Sequence, residues 1–117
     1  MTDTWMDAKD QHLYDKQGRP ISYRQYASLK HDSDEYRRIG DDTVGDTWVS
    51  TVWLGLDHGA SWREGHKPVI FETMIFGGPM DLETWRYTSE AAARAGHRVI
   101  VKLVRRRRHG QIKARAG

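Results

Sequence analysis

The sequence contains no cysteine among its 117 residues, so neither a disulfide framework nor a thiolate metal site can form. It also lacks any apolar run near the roughly 18 residues that a membrane-spanning helix needs. Residues 1–11 hold four charged side chains and no apolar run, which is unlike a secretory signal peptide. These absences favour a soluble protein of a reducing compartment, and we expect it in the cytoplasm.

Acidic residues are missing from the C-terminal part of the chain, since the last one in the sequence is Glu90. From Arg98 onward there are eight Lys and Arg residues. Residues 73–117 hold 10 basic against 3 acidic side chains, a net charge of +7, whereas residues 1–72 hold 9 against 13, a net charge of −4. This asymmetry predicts that the C-terminal end attracts a negatively charged partner.

The composition is that of one folded domain, because 38% of the residues are hydrophobic and 30% are charged. The first dozen residues show no hydrophobic periodicity. We expect a disordered N-terminus over residues 1–12, a single α+β domain over 13–106 and a basic, flexible tail over 107–117.

A short helix is predicted near the N-terminus. Ser22 and Gln25 have the spacing of a capping box, in which each residue bonds the backbone amide of the other. The helix should end near His31, because the Asp-Ser-Asp run that follows favours a turn. Tyr26 and Leu29 are expected to point into the core.

A longer, basic helix is predicted at the C-terminus, from Ser89 to about Arg106. Gly96 lies inside it at a cost of about 1 kcal/mol relative to alanine, which indicates a close approach to the sheet. Its apolar positions recur every three or four residues and predict the face that packs on the sheet, at Ala92, Ala95, Val99 and Leu103, with Ile100 beside them.

Four segments read as strands: a polar edge strand over 36–44, two central strands over 48–56 and 69–76, and a fourth over 83–87. The connections are short enough for antiparallel neighbours, so we expect an α+β fold with a meander of about four strands. Both faces of the central strands are apolar, with Val52, Leu54 and Leu56 on one face and Val49, Thr51 and Trp53 on the other. One helix cannot cover both faces, so either the N-terminal helix or a partner chain should cover the second. A homodimer through a sheet face is one such arrangement.

Several short segments carry a resemblance beyond this general pattern. They are YRRI at 36–39, VGD at 44–46, VSTVWLGLDH at 49–58 and IFETM at 70–74, together with Tyr14-Asp15, Gly18, Pro20-Ile21-Ser22, Arg86-Tyr87, Thr88 and Gly96-His97. The set resembles a family of small uncharacterised proteins of tailed phages and prophages. The likeness spans residues 13–100 and leaves out the tail from Arg105. Because that family has no established activity, the resemblance implies a phage origin and a host-cell cytoplasm rather than a mechanism.

The nearest approach to a catalytic or metal site is a set of four residues, namely Asp57, His58, His66 and Glu72. Imidazole and carboxylate groups suit a divalent metal, but no HExxH pattern or regular ligand spacing accompanies them. Asp57 can equally cap its turn, and Glu72 can pair with Arg86 or Arg38 across the sheet. A metal-dependent enzyme is therefore the last alternative, and we predict no catalytic residue, metal or cofactor.

Two binding hypotheses remain. In the first, the protein is a non-enzymatic phage accessory protein that contacts a host or phage protein through Trp53 or Trp62, because tryptophan is enriched at interfaces. In the second, it associates with nucleic acid through its basic C-terminus, whose cations otherwise only solvate the chain or interact with the helix dipole. The residues of the second hypothesis are Lys102, Arg105, Arg106, Arg107, Arg108, Lys113 and Arg115.

Overall fold

The computed structural model describes residues 12–32, 34–59 and 65–116, except for the side chains of residue 32 and residues 111–116. Its elements in chain order are α1 (Tyr23–Asp32), α2 (Asp34–Arg37), β1 (Arg38–Val44), β2 (Thr47–Trp53), β3 (Phe71–Phe76), β4 (Thr84–Tyr87) and α3 (Glu90–Ala116). The four strands form one antiparallel sheet in the order β1-β2-β3-β4. The predicted α+β fold, with a short helix and a longer C-terminal helix, is confirmed.

A two-residue turn joins β1 to β2, and Gly45 adopts a positive φ of 62° there. Such a turn matches the twist of the flanking strands, and glycine has no Cβ to oppose the conformation. The hairpin places Val49, Thr51 and Trp53 on one face of β2 and Trp48, Ser50 and Val52 on the other.

The long helix α3 packs on the face that carries Val49. Its buried residues recur at three- and four-residue steps, at Ala93, His97, Ile100, Val101 and Val104. The predicted face of this helix is wrong in part: Ile100 is buried and Leu103 packs against the core, but Ala92, Ala95 and Val99 are exposed, Val99 by 60% of its surface. The prediction used the spacing of apolar residues alone, whereas the buried face has a histidine, His97, at its centre.

The core under α3 consists of two apolar clusters. One contains Val49, Ile75 and Met80 of the sheet side together with the C-terminal half of the buried α3 face. The other contains Ile39, Trp53, Ile70, Phe71 and Ala93, and the N-terminal helix adds Tyr26 and Leu29 to it.

The capping box of α1 is confirmed in both directions. The Gln25 amide donates to Ser22 Oγ at 3.1 Å, and the Ser22 amide donates to Gln25 Oε1 at 2.9 Å. The Tyr26 ring then packs against Trp53 with centroids 5.6 Å apart. Since Trp53 lies on the face covered by α3, the helix α1 extends that cover instead of covering the second face of the sheet.

Several predicted boundaries need correction. Tyr36 belongs to the short helix α2 and not to the edge strand, because Asp34 and Glu35 at its first turn favour helix initiation. β2 ends at Trp53 instead of Leu56, two residues before Gly55 takes a φ of 79°. β3 begins at Phe71 instead of Val69.

The C-terminal helix does not end at Arg106. It continues to Ala116, through the segment that was expected to be a tail. Arginine, lysine, glutamine and alanine all have high helix propensity, and no proline interrupts the run. Within the described residues, no helix combines the length and apolar content that crossing a bilayer requires.

Candidate functional site

A line of hydrogen-bonded polar side chains crosses the whole sheet beneath α3. His97 Nε2 lies 2.7 Å from Asp42 Oδ1, and His97 Nδ1 lies 2.7 Å from Thr51 Oγ1. Thr51 Oγ1 lies 2.5 Å from Thr73 Oγ1, which also accepts the Tyr87 hydroxyl at 3.0 Å. Each strand contributes one residue and α3 contributes the histidine. We call this set, Asp42, Thr51, Thr73, Tyr87 and His97, the polar belt.

Two glycines make room for the polar belt. A Cβ on Gly40 of β1 would lie only 2.6 Å from the His97 ring. A Cβ on Gly96 of α3 would overlap the Tyr87 ring, 2.6 Å from its Cζ. The close approach expected at Gly96 is therefore confirmed.

An acid, a histidine and a hydroxyl in this order invite comparison with a nucleophilic triad. The burial runs the wrong way, however, because Thr51 is 0% exposed and the Asp42 side chain is 44% exposed. A nucleophile has to contact its substrate, whereas the partners of Thr51 Oγ1 in the described part of the chain are its two belt neighbours, His97 and Thr73. The belt therefore holds α3 on the sheet. The sequence contains one signal for the polar belt. His97 lies four residues from both Ala93 and Val101 and therefore falls on the same face of the helix as these two apolar residues.

The structure brings two of the four candidate ligands together, Asp57 and His66, and within the described residues no third one joins them. The Asp57 carboxylate is fully buried and accepts the amides of Gly59 and Val69, each at 2.8 Å, and His66 Nε2 at 2.9 Å. His58 is exposed at the end of the same loop. Among the residues that the structure describes, no group of three potential metal ligands occurs.

Asp57 instead stabilises the loop, as the turn-capping interpretation predicted. Burial on its own would raise the pKa of the Asp57 carboxyl, but the bonds from Val69, Gly59 and His66 outweigh it and the pKa is lowered. Glu72 accepts a bond from Arg86 Nε at 3.1 Å, so the predicted cross-strand pair with Arg86 is confirmed.

The predicted nucleic-acid residues lie along α3. Lys102, Arg105, Arg106, Arg107 and Arg108 all have exposed side chains, and Lys113 and Arg115 lie in the helix with side chains outside the described part. At about 100° per residue, Lys102, Arg106 and His109 point away from His97 and the sheet, and Arg98 and Arg105 lie on the side of the helix next to them. We call this set, Arg98, Lys102, Arg105, Arg106 and His109, the basic stripe.

Arg107 and Arg108 differ from the basic stripe, since they turn toward the sheet. The Arg108 guanidinium lies directly over Gly45 in the β1–β2 turn, where a Cβ would collide with it. Both arginines line a small cleft with Asp46 and Met80. Their guanidinium groups therefore pack partly on the protein.

The face of the sheet opposite α3 has no helix over it in the described part of the chain. Trp48 of β2 is 43% exposed there, stacks on Phe76 of β3 with centroids 4.9 Å apart, and donates its Nε1 hydrogen to Asp41 at 2.7 Å. We call this surface the open face. It is a shallow groove lined by Arg37, Arg38, Asp41, Trp48, Ser50, Val52, Glu72, Met74 and Phe76, with Arg86 at its edge.

The structure places Trp53 in the core. It is 2% exposed, its Nε1 donates to the Tyr14 carbonyl at 3.0 Å, and the Tyr36 ring packs edge-on at 4.9 Å. The expected partner contact through Trp53 is therefore not available on the folded surface. Trp62, the other expected contact, lies outside the described residues.

Comparison with known proteins gives no relative from which to infer the function. No family model, no curated protein and no solved structure matches the chain. The phage resemblance thus remains a prediction, and function has to be argued from the two exposed surfaces, the basic stripe and the open face.

Proposed function

We propose that the protein is a non-catalytic binding protein that holds nucleic acid through the basic stripe of α3. One observation carries the proposal: exposed cations line up on the outer side of a helix whose inner side is fixed to the sheet. The phage origin and the cytoplasmic location expected from the sequence belong to the same proposal, as a setting in which a small nucleic-acid-associated accessory protein would act.

The cations of the stripe are available to a ligand. Within the described residues, none of Arg98, Lys102, Arg105 and Arg106 forms an ion pair, whereas Arg94, one turn earlier, pairs with Glu90 at 2.6 Å. Unpaired cations near phosphates release condensed counterions, and this gives affinity with little sequence preference. About four phosphate contacts predict a salt slope of about −3.6 on duplex DNA.

The helical form of the segment supports the proposal over a merely solvated tail. A flexible tail would lose conformational entropy on binding, since each residue fixed costs about 1–2 kcal/mol. The stripe is already ordered, because Ile100, Val101 and Val104 hold the same turns of α3 in the core. Binding can therefore use its electrostatic free energy with a smaller ordering cost.

Contact with a host or phage protein is the second candidate function. It is favoured by the open face, where Trp48 presents an exposed ring on a fixed scaffold. Trp53 cannot make this contact, because it is buried in the core. A metal-dependent enzyme has no support in the described residues, because Asp57 is used in its loop and Glu72 in its pair with Arg86.

The test measures binding of the protein to a fluorescently labelled DNA duplex and to a labelled single strand. Fluorescence anisotropy reports the affinity at each concentration of a salt series. The variant Lys102→Gln/Arg106→Gln removes two cations of the stripe and keeps good helix formers in their place. We expect it to bind roughly tenfold or more weakly at low salt and to lower the magnitude of the salt slope by about 2. Arg19→Gln is the matched control, because Arg19 is an exposed cation in a turn distant from α3 in sequence. Equal affinities of the double variant and wild type would refute the proposal.

A further inference from the structure

We propose that the open face binds a second copy of this chain, so that two sheets stack face to face between two outer α3 helices. The inference does not depend on nucleic-acid binding, because the open face and the basic stripe lie on opposite sides of the sheet. It gives an occupant to the second apolar face of the central strands, which α1 does not cover.

The open face is prepared for contact with another apolar surface. Trp48 is fixed by its stack on Phe76 and by its bond to Asp41. The charged groups around it are also paired, since Arg38 Nε lies 3.4 Å from Asp41 Oδ2 and Arg86 Nε lies 3.1 Å from Glu72 Oε2. Covering this face therefore leaves no charge without an opposite charge beside it. The remaining N–H groups of the two arginines need acceptors, which the occupant or trapped water has to supply.

The charge of the open face selects among occupants. Its three arginines, Arg37, Arg38 and Arg86, are balanced by the carboxylates beside them, Asp34, Asp41 and Glu72, although the chain as a whole is polarised. A nucleic acid would bring phosphates toward Asp41 and Glu72 without a net attraction. A second copy brings a flat, neutral face of the same kind, and a two-fold arrangement of identical patches is the usual form of a homodimer.

The position of α3 removes the main objection to self-association, which is repulsion between the basic helices. Stacked sheets lie about 10 Å apart, and each helix layer adds about 10 Å on the outer side. The two basic stripes would then lie roughly 30 Å from each other, several times the Debye length of about 8 Å at physiological salt. Repulsion between them is largely screened.

The size of the face predicts a weak dimer. The four strands hold 7, 7, 6 and 4 residues, which at about 3.4 Å per residue and about 4.8 Å between strands give a footprint of roughly 390 Å². A standard specific interface buries about 800 Å² on each partner, so this contact is about half of that size. We therefore expect weak association, and the experiment has to reach high protein concentrations.

The experiment is sedimentation velocity on the nuclease-treated full chain, from about 10 μM to about 1 mM at about 0.3 M salt, which screens bridging by residual polyanions. We expect the mass to rise from 13.6 kDa toward twice that value. Val52→Lys and Trp48→Lys should each raise the dissociation constant at least tenfold. Val99→Lys is the matched control, because Val99 is an equally apolar, 60% exposed residue of α3, and it should leave the constant unchanged.

Circular dichroism melts of all variants establish that each one is folded. A wild-type protein that stays monomeric over the whole concentration range overturns the proposal. A dimer whose dissociation constant is changed by neither Val52→Lys nor Trp48→Lys also overturns it. A dimer that disappears on nuclease treatment also overturns it, because nucleic acid would then be the bridge. If the open face holds a different protein, the purified chain stays monomeric, which is the first of these outcomes.

Discussion

Replacing Thr51 by valine isolates the hydrogen bonds of the polar belt, because the two side chains have nearly the same shape. Thr51 is fully buried and its Oγ1 contacts both His97 Nδ1 and Thr73 Oγ1. In Thr51→Val the His97 nitrogen loses its partner inside the core, whereas Thr73 keeps the Tyr87 hydroxyl. Leaving a buried polar group unpaired costs about 1–3 kcal/mol, and the better strand propensity of valine returns a few tenths. We expect a net loss of about 1–2 kcal/mol.

The assay is urea unfolding followed by far-ultraviolet circular dichroism, with a thermal melt alongside. For a chain of this length, the expected loss corresponds to a fall in Tm of about 4–8 °C. Thr43→Val is the matched control, since Thr43 is exposed on β1, and its effect should stay within about 0.5 kcal/mol. The double variant Thr51→Val/Thr73→Val should cost less than the sum of the two single changes, because both members of one pair are removed together. Wild-type stability of Thr51→Val, or strict additivity in the cycle, would refute a belt that holds α3.

Two further predictions concern backbone space and pH. Gly40→Ala should destabilise the fold by about 1–3 kcal/mol, because the new Cβ displaces the His97 ring. Gly110→Ala should stabilise the fold by up to about 1 kcal/mol, because Gly110 has open space around it in α3 and alanine is the better helix former. Urea unfolding of the two variants distinguishes steric crowding from helix propensity. The pKa of Asp57 is lower in the folded than in the unfolded chain, so its carboxylate stabilises the fold above its usual pKa, and this contribution is lost as the pH falls through the lowered value. Unfolding at about pH 7 and about pH 3 should therefore show a larger drop for wild type than for Asp57→Asn, and equal drops would contradict the reasoning.

The parts of the fold that local chemistry determines were predictable from the sequence. The capping box at Ser22 and Gln25 predicted the start of α1, and both of its hydrogen bonds are present. Glu72 was expected to pair with Arg86 or Arg38 because a carboxylate among apolar strand residues needs a cation, and the structure shows the pair with Arg86, which occupies the opposite register position. Each of these features depends on residues that are close in sequence or on one cross-strand pair.

The features that were missed depend on tertiary packing. Both faces of β2 are apolar, so the alternation of side chains along the strand does not show which face α3 covers. The sequence therefore predicted a partner contact at Trp53, whereas Trp48 is the exposed tryptophan. The predicted rotation of α3 about its own axis was wrong for a related reason. A histidine belongs to the buried face only when its two nitrogens find partners, and those partners, Asp42 and Thr51, come from two different strands.

The same histidine connects the core of the protein to its proposed function. His97 bonds fix the rotation of α3 about its axis, and Gly40 and Gly96 allow the helix to approach in that rotation only. A turn of the helix by one residue, about 100°, would bring Arg98 to the position of His97 and carry one edge of the basic stripe into the sheet. The polar belt therefore decides which side chains of α3 meet solvent. Loss of the belt should weaken nucleic-acid binding as well as stability, although no belt residue contacts the ligand, whereas a substitution of equal cost in the loop around Asp57 should lower stability alone.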